Sequence, residues 1–309
     1  MKRSARGILE VLVRIPSETG GEQAAAGAFA GWCEEAGMEV AKEDVEPGRC
    51  NVVARWNVGR RPHVLLTGHL DTAPVGDGWT RDPFGAEVSG GRLYGRGACD
   101  MKGGLAAMLG AIFELRRRGE EPAGDVTLAA VAGEEEDSAG TRALVGRGIR
   151  ADMAVLSEPT AMQLVISNRG LLNFRINAAA EVVLELQAVN DELARRPHAV
   201  FGAATLTART IHGGTRPYVV PDRCVVEIDR RVNPGETTAK VLEEIESALA
   251  RVRLRVPWLE VVVESGPDYL AFEIPEEHDL VRALKSAMAA AGVPPRISSW
   301  RAASDAGFF

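Results

Sequence analysis

A chain of 309 residues, 46% of them hydrophobic, has enough apolar material to bury the cores of about two domains. A net charge of −7 and a pI of about 5.5 exclude nucleic-acid binding through a basic surface. The four cysteines (Cys33, Cys50, Cys99, Cys224) are far apart with no Cys-x-x-Cys. This excludes a structural zinc knuckle or a disulfide framework and fits a reducing cytoplasm.

The N-terminus runs directly into an amphipathic helix pattern at Ile8, Leu9, Val11 and Leu12. It has no long apolar stretch, so neither a signal peptide nor a membrane span is expected. Residues 4 to 14 form that helix, which must stop before Pro16 because the residue preceding proline disfavours helix. Residues 21 to 36 form a second helix, ended by Gly37. Asn51 to Trp56 and Val64 to Thr67 read as strands, and Ala86 to Val88 with Arg92 to Tyr94 as a hairpin. The Gly-rich turn from Gly95 opens onto a helix that buries Leu105, Met108, Leu109, Ile112 and Leu115 at helical spacing. Asp125 to Ala132 is a further strand, Ser138 begins a helix closing at Gly146 or Gly148, and Met153 to Leu156 is a buried strand. Strands alternating with helices predict a doubly wound α/β domain.

In such sheets ligands gather outside the carboxyl ends of the strands. His69 and Asp71 leave the strand of Val64 on one side, since residues two apart in extended chain face the same way. Glu134 and Glu135 follow the strand of Asp125, Glu158 follows that of Met153, and Asp100 opens a helix facing the same crevice. One imidazole and several carboxylates, with no thiolate nearby except Cys99, suit zinc, cobalt or manganese in a hydrolytic site. A two-metal site needs a bridging carboxylate, and Asp100 is placed to supply it. A carboxylate left unligated can act as general base. Adjacent glutamates diverge on extended backbone, so one of Glu134 and Glu135 can ligate while the other faces substrate. Taken alone, Glu134 to Asp137 reads as a solvated acidic loop; its place at a buried strand end argues otherwise.

These motifs resemble the co-catalytic zinc amidohydrolases and peptidases, the family of acetylornithine deacetylase, succinyl-diaminopimelate desuccinylase, aminoacylase and glutamate carboxypeptidase. The resemblance rests on Ile15 to Gly20, Gly68 to Pro74, Trp79 to Phe84, Gly95 to Gly104, Glu134-Glu135, Ser157 to Thr160, His212-Gly-Gly, Val219 to Asp222, Asp229 to Arg231 and Ala303 to Gly307. It implies that His69 and Glu158 bind one zinc, that Glu135 binds the second, and that Asp100 bridges both. It also implies that Asp71 orients His69 and that Glu134 is the general base. A cis peptide after Asp100 is a further implication. Residues 1 to 167 and 267 to 309 would form the catalytic domain. Residues 168 to 266 would form an inserted ferredoxin-like lid that pairs two subunits into a homodimer. The lid would comprise a strand from Leu171, a helix from Ala178 to Arg195, strands around Ala203 to Ile211 and Cys224 to Val232, and a helix from Thr238 to Val252. A last helix runs from about His278 to Ala291. Arg169 and Arg230 resemble positions that meet a substrate carboxylate, whereas His212 is not taken as a ligand.

Two family features are missing from the sequence. A loop after the second lid strand, carrying a histidine that crosses to the partner subunit, is replaced by Phe174-Arg-Ile176 running straight into Asn177. A histidine near the family's C-terminus, which completes the second zinc site, has no counterpart after His278. The expectation is that the whole protein carries further residues near 176/177 and beyond Phe309. Tyr218 stands where relatives often have a substrate-contacting asparagine. The implied activity is a cytoplasmic dinuclear-zinc (or cobalt) hydrolase cleaving the amide bond of an N-acyl amino acid, N-acetyl or N-succinyl substrates first. A metallo-exopeptidase acting on dipeptides or C-terminal glutamate is the alternative, and a metal-poor binding scaffold is the non-enzymatic one.

Overall fold

A computed structural model describes residues 3–177, 180–214 and 223–309. Tyr218, the Val219 to Asp222 motif and Ala178, the expected start of a helix, lie outside the described residues. The chain divides into two compact units, one running to Met162 with Phe308–Phe309, the other spanning Gln163–Gly307.

The first unit begins with α1 (Ala5–Arg14), whose N-cap Ser4 hydroxyl accepts from the Gly7 N–H at 3.1 Å. Next come α2 (Gln23–Glu35), β1 (Glu39–Glu46), β2 (Arg49–Trp56), β3 (Val64–His69), the hairpin β4 (Glu87–Ser89) and β5 (Arg92–Tyr94), and α3 (Lys102–Arg118). The unit closes with β6 (Val126–Val131), α4 (Ala139–Gly146) and β7 (Met153–Leu156). The main sheet has the order β1-β2-β6-β3-β7. β3 lies parallel to β6 and β7, while β2 runs antiparallel to β6 and β1 antiparallel to β2. Alternation divides the two faces. Val52, Ala54, Leu128 and Ala130 pack with Ile8 and Leu12 of α1, Phe29 of α2, and Leu105 and Leu109 of α3. Val53, Leu65, Ala129 and Val131 face the other way, onto Leu144 of α4. Each fully buried leucine here contributes about 1.5–3 kcal/mol of transfer free energy. Helices therefore cover both faces of a mixed sheet, and the sheet's three mutually parallel strands end on one side.

β1 is absent from the sequence reading. Its run Glu-Val-Ala-Lys-Glu-Asp-Val-Glu is dominated by charge because β1 is an edge strand with one exposed face.

The second unit contains β8 (Leu164–Asn168), β9 (Gly170–Asn177), α5 (Ala180–Leu193), β10 (Thr205–Gly213), β11 (Cys224–Val232), α6 (Thr238–Arg255), β12 (Val263–Tyr269), β13 (Phe272–Glu273), α7 (Asp279–Ala290) and β14 (Ile297–Trp300). The succession β9-α5-β10-β11-α6-β12 builds an antiparallel sheet of order β10-β11-β9-β12. Val182, Leu186, Val189 and Leu193 of α5 and Val241, Ile245, Leu249 and Val252 of α6 pack on Leu172, Leu206, Val226 and Ile228. Spacings of three and four put these residues on one stripe of each helix. A second sheet, β13-β8-β14, pairs segments over a hundred residues apart. Sequence reading found none of its strands, because their pairing is entirely non-local and their burial patterns are mixed.

Candidate metal centre

The parallel strands β3, β6 and β7 deliver their following residues to one edge of the sheet. His69 ends β3 and is 1% exposed. At Gly68, just before it, an added Cβ would overlap the end of the buried Met101 side chain, so glycine lets that side chain lie against the strand end. The Asp100–Met101 peptide is cis, as the resemblance implied.

The imidazole is fixed from behind. Its Nδ1 lies 2.9 Å from the Asp71 main-chain carbonyl and 3.5 Å from the Asp71 carboxylate. Those contacts assign the Nδ1 proton and turn Nε2 outward. Around Nε2 stand Asp100 Oδ1 at 3.2 Å, Glu158 Oε1 at 3.9 Å and Glu134 Oε2 at 4.0 Å. Glu135 completes the group, with ligand atoms of His69, Asp100 and Glu135 all within 4.8 Å of one another. The structure thus brings together all six unit-1 residues singled out in the sequence.

Asp71 does more than orient His69. Its Oδ1 accepts from the Gly133 N–H (2.9 Å) and the Glu134 N–H (3.2 Å). Its Oδ2 accepts from the Glu135 N–H (3.1 Å) and the Thr19 hydroxyl (2.9 Å). One fully buried carboxylate therefore ties the end of β3 to the loop after β6. That loop corrects a sequence expectation. Gly133 takes a left-handed φ of 80° and residues 134–137 form a turn, so Glu134 and Glu135 separate through turn geometry and not along extended backbone. Glu135 Oε1 accepts from the Ala73 N–H at 3.1 Å, which leans it toward the segment after Asp71.

Burial disfavours the charged imidazole of His69, but the Asp100 and Asp71 carboxylates, with Glu158, outweigh it and hold its pKa well above the ordinary value. Asp71 is likewise penalised by burial, yet His69 and the N–H donors keep it below the usual carboxylate value. Glu135 is pushed up by burial and by the Asp100 charge. The cluster sets several hard oxygen donors around one outward-facing nitrogen. It fits divalent cations of the zinc, cobalt or manganese type.

Two neighbours escaped the sequence reading. Lys102 is fully buried, and its ammonium donates to Leu12 O (3.0 Å) and Ile15 O (2.9 Å) at the end of α1. Burial pulls its pKa down to about 8, with the Asp71 charge opposing. The available signal was a lysine in the first turn of α3, where the helix dipole disfavours a cation unless something else holds it. Thr19 lay in a noted motif without a role.

Arg169 and Arg230 belong to the second unit. Arg169 donates to the carbonyls of Phe201 and, at 3.0 Å, Ala203. Burial, then the nearby Arg301 and Arg231, lower its pKa. Arg230 is 0% exposed, and its Nη2 pairs with Glu236 at 2.5 Å and Glu244 at 3.4 Å.

Strand-end carboxylates around a buried histidine are the arrangement of a metal-dependent hydrolase. The chain belongs to peptidase family M20/M25/M40, which it matches over residues 65–309. It is 32% identical to a succinyl-diaminopimelate desuccinylase from Gluconacetobacter diazotrophicus, over 96% of this chain and 84% of the relative. It is 30% identical to an acetylornithine deacetylase from Salmonella paratyphi B, over 83% of this chain and 73% of that one. It is also 30% identical to an N-formyl-4-amino-5-aminomethyl-2-methylpyrimidine deformylase from Halalkalibacterium halodurans, over 82% and 71%. Among solved structures, an M20 family metallo-carboxypeptidase from Sulfolobus solfataricus superposes with a TM-score of 0.79 at 19% identity, covering 97% of this chain and 87% of the other. The aminopeptidase PepT from Bacillus cereus gives 0.74 at 20% identity, covering 100% and 87%. The protein is therefore an M20 family hydrolase with a mixed α/β fold. Among the described residues no helix is long and apolar enough to cross a membrane.

Proposed function

We propose that this protein hydrolyses the amide bond of an N-acyl amino acid, with His69, Asp100, Glu135 and Glu158 holding two divalent cations and Asp100 shared between them. The observation that carries the reading is the convergence of four carboxylates on the outward nitrogen of a buried histidine. Bound there, zinc or cobalt would polarise the scissile carbonyl and lower the pKa of a water toward about 7. Glu134, its carboxylate 4.0 Å from His69 Nε2, accepts the proton that the attacking water releases. It then passes that proton to the nitrogen as the C–N bond breaks, so an amine and a carboxylic acid leave. Asp71 holds the histidine and the Glu134 loop in one frame.

Within the second unit, the βαββαβ segment is read as the ferredoxin-like lid that pairs two subunits, and Arg169 as a contact for the substrate carboxylate; Arg230, 0% exposed and held by Glu236 and Glu244, is read as structural. The cysteine usage agrees with a cytoplasmic enzyme. N-acetyl and N-succinyl amino acids rank first because the sequence relatives carry deacetylase and desuccinylase names. A metallo-exopeptidase is the second reading, since a carboxypeptidase and an aminopeptidase share this fold. A panel of N-acyl amino acids against di- and tripeptides separates the two. Glu134→Gln is expected to lower kcat by about 10²–10⁴-fold with metal content unchanged. Turnover that survives the change removes Glu134 from the base role.

A further inference from the structure

The loop that carries Glu134 and Glu135 is gripped on two sides. The Asp71 carboxylate takes three of its N–H groups. Opposite stands Arg49, the first residue of β2, 8% exposed. Arg49 Nε donates to Glu22 Oε1 at 3.3 Å, and Nη1 to Glu46 Oε2 at 2.8 Å. Nη2 lies 3.8 Å from Asp137 Oδ1 and so close to Gly133 that a Cβ added there would overlap it. Asp137 in turn folds the loop, donating its N–H to Gly133 O at 3.1 Å and accepting from the Ala139 N–H at 3.0 Å. Glu22, at the N-cap of α2, is 0% exposed and is the guanidinium's fully buried counter-ion. A buried ion pair is a poor source of stability, since desolvation offsets the attraction. Placing a planar cation against a glycine backbone has a clearer use, which is to fix that backbone's position.

We infer that Arg49 is a positioning residue for the Glu134/Glu135 loop, pressing on Gly133 and Asp137 from behind with Glu22 as its counter-ion. The inference rests on the proposed roles of Glu134 and Glu135, but its first test does not. In the metal-free protein, Arg49→Met frees the loop to move away from Asp71. Hydrogen exchange of the Gly133, Glu134 and Glu135 amides should then rise about tenfold or more over that of Ala129 and Ala130 in β6. In the metal-loaded enzyme the same change should lower kcat about tenfold to a hundredfold, with KM shifted far less. Arg49→Lys should recover part of both, because it restores a cation for Glu22 and Asp137.

Gly133→Ala probes the contact from the other side, and supplies a second route if Arg49→Met does not fold. Its new methyl group meets Arg49, so Arg49→Lys combined with Gly133→Ala should cost less than the two changes added. Exchange that rises equally across β6, or effects that simply add, would overturn the inference. Loop opening on Arg49→Met, with turnover retained by Glu134→Gln, would keep the positioning role and sink the base assignment instead.

Discussion

Two buried charged centres, one in each unit, are built on opposite principles. Around Arg230, charge is matched: its guanidinium meets Glu236 and Glu244, and the other Glu236 oxygen accepts from the Asn233 N–H at 2.7 Å. Around His69 carboxylates crowd together: four of them face one imidazole nitrogen or one another. A matched cluster offsets its own charge and holds a fold in register. A crowd of like charges is costly to assemble without a cation, and persists where the crowding is used.

That contrast can be broken by experiment. Removing one partner of the matched centre should hurt stability most. Arg230→Met strands two glutamates and should lower unfolding free energy by about 3–5 kcal/mol. Metal content should be unchanged in the protein that remains folded. Denaturant titration together with metal analysis checks both, and a loss of metal without a loss of stability would reverse the assignment of the two centres. Asp71→Asn should act the other way. It puts an amide where carboxylate oxygens accept from backbone N–H groups, so metal affinity should fall about 10–100-fold, measured by competition with a chelator.

A pH titration sharpens the comparison further. The His69 pKa is raised in the metal-free fold, so the ring keeps its proton above the ordinary value of about 6.5. The stability this adds is complete below that value and is lost as pH rises through the higher folded value. A cation must displace the proton, so affinity should already be falling, by up to about tenfold per pH unit, on acidification from above 6.5. Calorimetry in buffers of different ionisation enthalpy counts the released proton, and zero release contradicts the shift. The smallest expected effect is at a simple cap: Thr237 Oγ accepts from the Lys240 N–H at 3.3 Å, and Thr237→Ala should cost about 1 kcal/mol with no change in metal affinity.

The six converging residues were legible because each follows a buried strand or opens a helix, and topology alone sends such positions to one edge. The helices were legible for the same local reason, as periodic stripes. β1 was hidden by edge-strand charge, and the β13-β8-β14 sheet by pairing between distant segments. Arg49 and Lys102 were hidden because a basic residue in a sequence reads as surface until its partners are known. The turn at Gly133 was hidden because a glycine after a strand does not announce a left-handed φ.

Lys102 carries one more consequence. Its ammonium reaches past the Asp100 turn to hold the last carbonyls of α1. The first helix is thereby stitched to the turn that carries Asp100. Trimming it would strip the Lys102 ammonium of both its acceptors and open the start of the helix after Asp100 to water.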